Sequence, residues 1–471
     1  MDSAHSTLET AGPAAWSDAL AALLPEALAC AGDEMPEHTA ALREAEASFR
    51  ERRWVVLVAG LCSVGKSSFV SALWGDSGLL PTAVRDCTQT NTYVRVPGAG
   101  EAGRQVLAAY LSRAAAAAFT VQGFSFYRLA ELLSEVLGPF APRLDELPPE
   151  ARLRTGLAGV KKLCAQRPEL LVLHDYVSGE MEQLEQFLAF FDSPDYRPGE
   201  TLAASWDERR DLLMGRRRPD GRTLDVGKLW TLQRVELVSR GAGRWRGAPP
   251  VLVDTPWIPL FHEARRVDLI LEQARRADIL VILAQPQSFQ FEDWVLELFR
   301  ERPALAGRTL VVFNQVDTVD TLALFTREGF ASSFEENARR LAGHGIAPAN
   351  LFMACARLPF LVGWPQDGLV AERIAKLRKV LDGVRKLLAL RPASEFKTRL
   401  LAACDPDDAG ILSVRNRLET LASEFVPKQR AREALDALDA LHHALNLAPG
   451  AACAWAGIMK RAGEVKALLS P

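Results

Sequence analysis

Apolar runs about as long as buried strands recur between Trp54 and Ala356. They read WVVLVA, NTYVRV, QRVELV, PPVLVDT, DILVILA, TLVVFN and NLFMACA. These runs are rich in β-branched and aromatic residues, as strands are. Apolar positions between them recur at helical spacing, and parallel strands need such crossover connections. The pattern therefore predicts an α/β fold with a mostly parallel sheet.

Helical patterns dominate both ends of the chain. Trp16 to Arg53 reads as two helices broken near Gly32 and Pro36, and after Arg357 the pattern is again mostly helical. We expect the flanking N- and C-terminal helices to form a short bundle. The predicted division is N-terminal helices at 1–53, one α/β domain at 54–426 and a C-terminal helix at 427–471.

The stretch between Thr88 and Asp254 is longer than a pair of strands requires. It contains AAYLSRAAAAAF, ARLRTGLAGVKKLCAQ and EMEQLEQFLAFF, all with helical spacing. We therefore expect a large helical insertion at about residues 100–230.

The composition is that of an ordinary globular protein. The 471 residues are 48% hydrophobic, which supports a substantial core, and 56 basic against 59 acidic residues give a formal net charge of -3. This balance gives no reason to expect nucleic acid as a partner. Seven cysteines without C-x-x-C spacing suggest neither disulfides nor zinc. No secretory signal pattern and no long uncharged apolar run are evident, so we expect a cytoplasmic protein.

The segment GLCSVGKS, Gly60 to Ser67, fits the phosphate-binding pattern G-x-x-x-x-G-K-[ST]. It lies between a predicted strand and a predicted helix, which is where such a loop works. Lys66 is expected to reach the β- and γ-phosphates and Ser67 to ligate Mg²⁺, while backbone N–H groups surround the polyphosphate. The candidate nucleotide-binding residues of this loop are Gly60, Cys62, Ser63, Val64, Gly65, Lys66, Ser67 and Ser68.

Two later motifs distinguish between kinase, ATPase and GTPase. VLVDTPW places Asp254 at the end of a buried strand, where its carboxylate could hold a Mg²⁺-bound water beside the γ-phosphate. LVVFNQVD places Asn314 and Asp317 after another strand. A carboxylate at that spacing accepts from the N1–H and exocyclic amine of guanine, with the amide supporting the base and the loop. Adenine offers the wrong donors, so the pattern favours GTP over ATP.

These motifs, in this order, resemble the dynamin-like GTPases, especially their bacterial members. The resemblance rests on GLCSVGKSSFVSALWG, LLPTAVRDCTQTNTYVRV, VLVDTPW, ADILVILAQPQSFQFEDWVLELF, TLVVFNQVD and ACAR. It runs from about Trp54 to Phe425, where AGILSVRNRLETLASEF is similar to the helix that ends the GTPase domain. The resemblance implies a P-loop GTPase that binds GTP and Mg²⁺ and releases GDP and phosphate.

Further site residues follow from the resemblance alone. It implies that Thr88, or failing that Thr90, is the switch threonine that ligates Mg²⁺ and positions the attacking water. It also matches Ser63 to a serine that helps stabilise developing charge, and Ser68 to the family's usual second serine.

Three positions depart from the family pattern. Cys62 stands where eukaryotic dynamins have glutamine, Trp257 replaces a glycine, and Gln315 replaces the lysine of Asn-Lys-x-Asp. They leave open an alternative, a nucleotide-gated interaction or scaffold protein that binds GTP with little hydrolysis. A P-loop ATPase or small-molecule kinase is disfavoured by the Asn314 and Asp317 pair.

The expected partners are GTP or GDP, a second copy and, more weakly, other chains or lipid. The resemblance implies a homodimer across the nucleotide face of the GTPase domain and allows a companion dynamin-like chain. The loop with Arg216 to Arg218 and Arg222, and the basic face of the helix Glu372 to Leu390, allow peripheral membrane contact. A solvated surface is the more ordinary interpretation of both.

Overall fold

The structure of this protein is a computed structural model. It describes residues 13–31, 35–50, 54–60, 64–76, 78–80, 90–98, 100–101, 103–123, 146–166, 175–214, 216–217, 223–224, 226–241, 245–256, 270–271, 273–285, 293–315, 328–356, 379, 382, 386, 395–405, 408–445 and 449–469.

The described strands are, in chain order, β1 (Val55–Gly60), β2 (Asn91–Arg95), β3 (Arg104–Tyr110), β4 (Thr201–Ala204), β5 (Arg216–Arg217), β6 (Thr223–Leu224), β7 (Leu232–Ser239), β8 (Val251–Asp254), β9 (Ile279–Ala284), β10 (Thr309–Phe313) and β11 (Leu351–Met353).

The described helices are α1 (Pro13–Ala31), α2 (Pro36–Arg50), α3 (Lys66–Trp74), α4 (Arg113–Gly123), α5 (Pro149–Gln166), α6 (Asp175–Phe191), α7 (Arg209–Met214), α8 (Val226–Thr231), α9 (Asp293–Glu301), α10 (Pro303–Ala306), α11 (Glu328–Gly343), α12 (Glu395–Ala403), α13 (Ile411–Ala444) and α14 (Pro449–Leu469). A 3₁₀ turn, Pro348–Asn350, leads into β11.

Nine strands form one sheet in the order β11-β10-β9-β1-β8-β2-β7-β3-β4, and β5 pairs with β6 separately. The strands β11, β10, β9, β1 and β8 are mutually parallel, and we call them the parallel half. The strands β2, β7, β3 and β4 make up the mixed half. Here β2 is antiparallel to β8 but parallel to β7, while β3 is antiparallel to both of its neighbours. The prediction of an α/β fold with a mostly parallel sheet is confirmed.

Burial explains why the parallel half could be predicted. Every residue of β10 is buried, as are five of the six in β9 and in β1. A strand buried on both faces shows a continuous apolar run. The edge strand β4 instead alternates between exposed and half-buried positions.

The region predicted as a helical insertion is only partly helical. Helices α4, α5 and α6 lie where the sequence pattern predicts helices. The prediction is wrong for Ala108 to Tyr110, which belong to β3. Strand β4 also falls in this region and pairs with β3. This region therefore contributes strands to the sheet as well as helices.

The chain divides into two compact units. The first comprises the described residues within Met1–Trp54, Trp245–Ala248 and Asn416–Pro471, and the second those within Val55–Arg244 and Pro249–Arg415. The predicted boundaries at 53/54 and 426/427 stay predictions.

The first unit has its own apolar core. Side chains of α1, including Leu20 and Leu24, are buried together with Leu438 of α13 and Trp455 of α14. The Trp455 indole N–H donates to Nδ1 of His442 at 2.7 Å, so the polar atom of this large buried side chain is satisfied.

Candidate functional site

The candidate site lies at the carboxyl edge of the parallel half. Because these strands are parallel, the ends of β1, β8 and β10 face the same edge of the sheet. Ligands of open α/β sheets bind outside the carboxyl ends of strands. The sequence motifs at Gly60, Asp254 and Asn314 all fall at these strand ends.

The phosphate motif forms a turn from strand to helix. Gly65 precedes α3 with φ 84° and ψ 34°, a left-handed conformation that favours glycine. A Cβ at this position would lie 2.7 Å from Nδ2 of Asn314, so space also requires glycine. The turn ends at the N-terminus of α3, whose first N–H groups have no intrahelical acceptor and attract anions.

Lys66 is folded back over this turn. Its side chain is buried, and Nζ donates to the carbonyl oxygen of Gly60 at 2.8 Å. An ammonium group carries three donors and is a chemical match for phosphate oxygens. The lysine is thereby held at the mouth of the turn.

Ser67 and Asp254 meet across the site. The Ser67 hydroxyl donates to Oδ2 of Asp254 at 2.7 Å, and both residues are buried. Thr255, the next residue, binds the Val58 carbonyl through both its backbone N–H and its hydroxyl, which fixes the end of β8 beside β1. The end of β8 thus places the Asp254 carboxylate against the first turn of α3.

Asn314 joins the phosphate turn to the loop after β11. Its Nδ2 donates to the carbonyl of Val64 at 2.8 Å, and its Oδ1 accepts from the backbone N–H of Ala356 at 3.1 Å. The side chain is 1% exposed. Both ends of the amide are therefore used to brace two loops, which agrees with a supporting role rather than direct base reading.

Gln315 has a left-handed backbone, with φ 63°. Few non-glycine residues adopt this conformation, which costs roughly 1–2 kcal/mol. Its side chain extends along the phosphate turn, with Nε2 3.8 Å from where a Cβ on Gly65 would stand. The departure from lysine therefore places a neutral amide against the loop.

The residues of the site suit a hard divalent cation only when a bound ligand contributes further oxygen atoms. Ser67 and Asp254 offer a hydroxyl and a carboxylate oxygen, the donors that Mg²⁺ prefers. No cluster of three or more His, Cys, Asp or Glu side chains suited to a metal occurs among the described residues. Mg²⁺ is typically held by one or two protein oxygens plus substrate phosphates and water, and this pair fits that mode.

The described part of the site unites Gly60, Val64, Gly65, Lys66, Ser67, Asp254, Asn314 and Gln315. Ser68 follows on α3 and is half-buried. The predicted residues Cys62, Ser63, Thr88, Asp317 and Trp257 lie outside the described residues.

The role of the Ala356 backbone was not predicted. Its N–H fixes the orientation of Asn314, but a backbone donor leaves no residue-type signal in sequence. The motif ACAR marked its location without giving its function.

No family model and no curated protein matches the chain. Two solved chains from studies of an oligomerised bacterial dynamin pair, described as a mechanism for long-range membrane sensing and tethering, align with 12% identity and a TM-score of 0.35. The first alignment covers 89% of this chain and 59% of that chain; the second covers 91% and 53%. This chain thus spans little more than half the length of either.

Within the described residues, no helix has both the length and the apolar character needed to cross a membrane.

Proposed function

We propose that this chain is a dynamin-like GTPase that binds GTP with Mg²⁺ and hydrolyses it to GDP and phosphate. One observation carries the proposal: Asn314 joins the phosphate turn at Val64 to the loop at Ala356, next to the Ser67 and Asp254 pair. This arrangement supports the proposal that a phosphate site and a base site are built as one unit.

Each residue has a proposed role. Lys66 and Ser67 would hold phosphate and Mg²⁺, and Asp254 would orient water at the metal. Thr88 would complete the metal site and position the attacking water, with Ser63 supporting the charge that develops in the transition state. Asp317 reads guanine, supported by the brace at Asn314.

The deciding experiment is a fluorescent-nucleotide titration in Mg²⁺, competed separately by GTP and by ATP. We expect displacement by GTP alone. Lys66→Ala should abolish binding, because the turn loses its only side-chain cation at the phosphates. Lys161→Ala, which removes an exposed lysine paired with Glu185 on the inserted helices, is the control. Equal displacement by ATP would instead support a P-loop ATPase or kinase.

Self-association through the nucleotide face is part of the proposal, since the sequence resemblance implies it. We expect turnover per molecule to rise with protein concentration, because a second copy would complete a site that has cysteine at position 62. Turnover that stays constant over a wide concentration range would contradict dimer activation. A companion dynamin-like chain is the other proposed partner.

A nucleotide-gated interaction protein is the second candidate, and Gln315 favours it. The neutral amide against the turn supplies no charge to stabilise phosphoryl transfer. Rapid steady-state GTP turnover that Lys66→Ala abolishes would eliminate this candidate.

Membrane contact is proposed only as peripheral and charge-driven, for a protein otherwise in the cytoplasm. We expect any co-sedimentation with anionic vesicles to weaken as salt rises, because screening shortens the reach of surface charges. Co-sedimentation that does not change with salt concentration would contradict this proposal.

A further inference from the structure

The start of α13 is fixed by hydrogen bonds that involve Asp408 and Gly410. The Asp408 carboxylate accepts from the backbone N–H of Leu412 at 2.8 Å and from the Ser413 hydroxyl at 3.3 Å, which caps the helix. The N–H of Gly410 donates to the Ala402 carbonyl of α12 at 3.0 Å. The entry into α13 is therefore rigidly defined.

This helix start is attached to the loop that braces Asn314. The N–H of Cys355 donates to the carbonyl of Ala409 at 2.9 Å, one residue before Ala356. Gly410 has φ 73°, and a Cβ there would collide with the carbonyl oxygen of Met353. Close backbone contact therefore links the start of α13 to the base side of the site.

Arg415, one turn later, reaches the phosphate side. Its guanidinium donates to the carbonyl of Leu73 at 2.9 Å, and the residue is 8% exposed. Leu73 lies in the last turn of α3, whose final carbonyls have no intrahelical donor. A buried cation at a helix C-terminus both satisfies a carbonyl and opposes the negative end of the dipole.

We infer that Arg415 is a positioning residue for the phosphate turn. It holds the C-terminus of α3 while Ser67, at the other end of this nine-residue helix, meets Asp254. A short helix moves as a rod, so an anchor at its end sets where its N-terminus presents Lys66 and Ser67. Residues 409–415 then link the phosphate side and the base side of one site. This inference rests on the proposed function.

The inference predicts a selective loss. Removing the Arg415 charge should loosen α3 and weaken contacts to phosphates, while contacts to the base are held separately through Ala409 and Gly410. We expect Arg415→Met to weaken GDP binding about tenfold, as loss of a charged hydrogen bond does, and to change guanosine binding by less than about twofold.

The experiment measures GDP and guanosine as competitors of a fluorescent GDP analogue on the full chain. The matched control is Arg308→Met: Arg308 is 2% exposed and donates to the Asp278 carbonyl at 2.6 Å, at the opposite edge of the same sheet. It should lose thermal stability comparably and keep its GDP affinity. Arg415→Lys, which keeps a cationic donor, should recover most of the loss.

Equal loss of GDP and guanosine affinity in Arg415→Met would show a merely structural role and overturn the inference. Unchanged GDP affinity would overturn it too. If Arg415→Met does not fold, Arg415→Gln, which also removes the charge, decides: a loss confined to GDP supports the inference, and unchanged affinity contradicts it.

Amide hydrogen exchange in residues 69–74, measured without nucleotide, separates failure of the inference from failure of the proposed function. Faster exchange in Arg415→Met than in Arg308→Met supports the anchor on α3 even if the wild-type protein binds no GDP, an outcome that would overturn the proposed function alone. Equal exchange in the two variants contradicts the anchor.

Discussion

Polar side chains are buried at the candidate site in the parallel half of the sheet but exposed in an ion-pair network beside the mixed half. In the parallel half, Asp254 and Asn314 are almost fully buried and bound to a helix or to loop backbone. Beside the mixed half, Arg113 and Arg154 pair with Glu150 and Asp192 in a network whose side chains are 38–46% exposed. Water can replace lost partners in the network but not in the buried site. We therefore expect large, specific effects in the buried site and small ones in the exposed network.

The largest effect is expected from Asp254→Asn. The variant keeps the shape but removes the charge that faces Ser67, and should weaken Mg²⁺-dependent nucleotide binding about 100-fold, equivalent to roughly 3 kcal/mol. Titration with and without Mg²⁺ measures the change. Asp278→Asn is the control, since Asp278 is buried in the same half but accepts from the Val55 N–H at the opposite edge. Comparable losses in both variants would mean that the buried charge serves only the fold.

Asn314→Ala should come next. Two loops lose their shared brace, and we expect about 30-fold weaker GDP binding together with poorer discrimination against ADP. Asn350→Ala is the matched control, because Asn350 is also buried and donates to the Gly307 carbonyl at 3.2 Å. It should lower the melting temperature without affecting base choice. Competition by GDP and ADP on both variants tests this, and unchanged discrimination in Asn314→Ala would refute the brace.

Gly65→Ala tests whether GDP binding depends on the close approach of Asn314 to Gly65 rather than on the positive φ of this residue. Gly100 has nearly the same φ, 82°, but a Cβ there would meet nothing within 4 Å. Both alanine variants should lose about 1 kcal/mol of unfolding free energy in denaturant titrations because of the positive φ, and Gly65→Ala should lose more because its Cβ meets Asn314. Only Gly65→Ala, pressed against Asn314, should also bind GDP about tenfold more weakly. Equal affinities would show that the close approach is unimportant.

The smallest effect is expected in the exposed network. Hydrogen bonds from Arg154 and Arg113 lower the pKa of the Asp192 carboxyl below its usual range. A lowered folded-state pKa stabilises the protein above the unfolded-state value and loses that effect as pH falls through the folded one. Asp192→Asn should therefore cost less than about 1 kcal/mol at pH 7, and the difference should shrink as pH falls below the usual carboxyl range or as salt rises.

Thermal unfolding across pH measures this effect, with Asp195→Asn as a control on the same turn. A wild-type advantage that grows as pH falls would have the wrong sign and would contradict the assignment.

The same contrast explains what the sequence could predict. The runs that form β1, β9 and β10 are continuous because both faces are buried, so these strands and a mostly parallel sheet were predictable. The motif residues could be placed at one edge because parallel strands end together.

The mixed half was harder to predict. Arg104–Tyr110 ends in Ala-Ala-Tyr, which favours a helix in isolation, and pairing with β7 overrides that preference. The four-residue β4 has too short a pattern to recognise. Neither the left-handed backbone of Gln315 nor the hydrogen bond from Arg415 to Leu73 can be predicted from the neighbouring sequence, because both depend on contacts distant in sequence.

The core of the first unit has a consequence for biosynthesis. Trp16 and Leu20 of α1 are synthesised more than 400 residues before their core partners Leu438 and Trp455. At about 5–20 residues per second, the apolar face of α1 waits roughly 20–80 s for those partners. The nascent chain thus presents an early hydrophobic helix for that whole interval, which makes α1 the segment where ribosome-associated chaperones should be sought first.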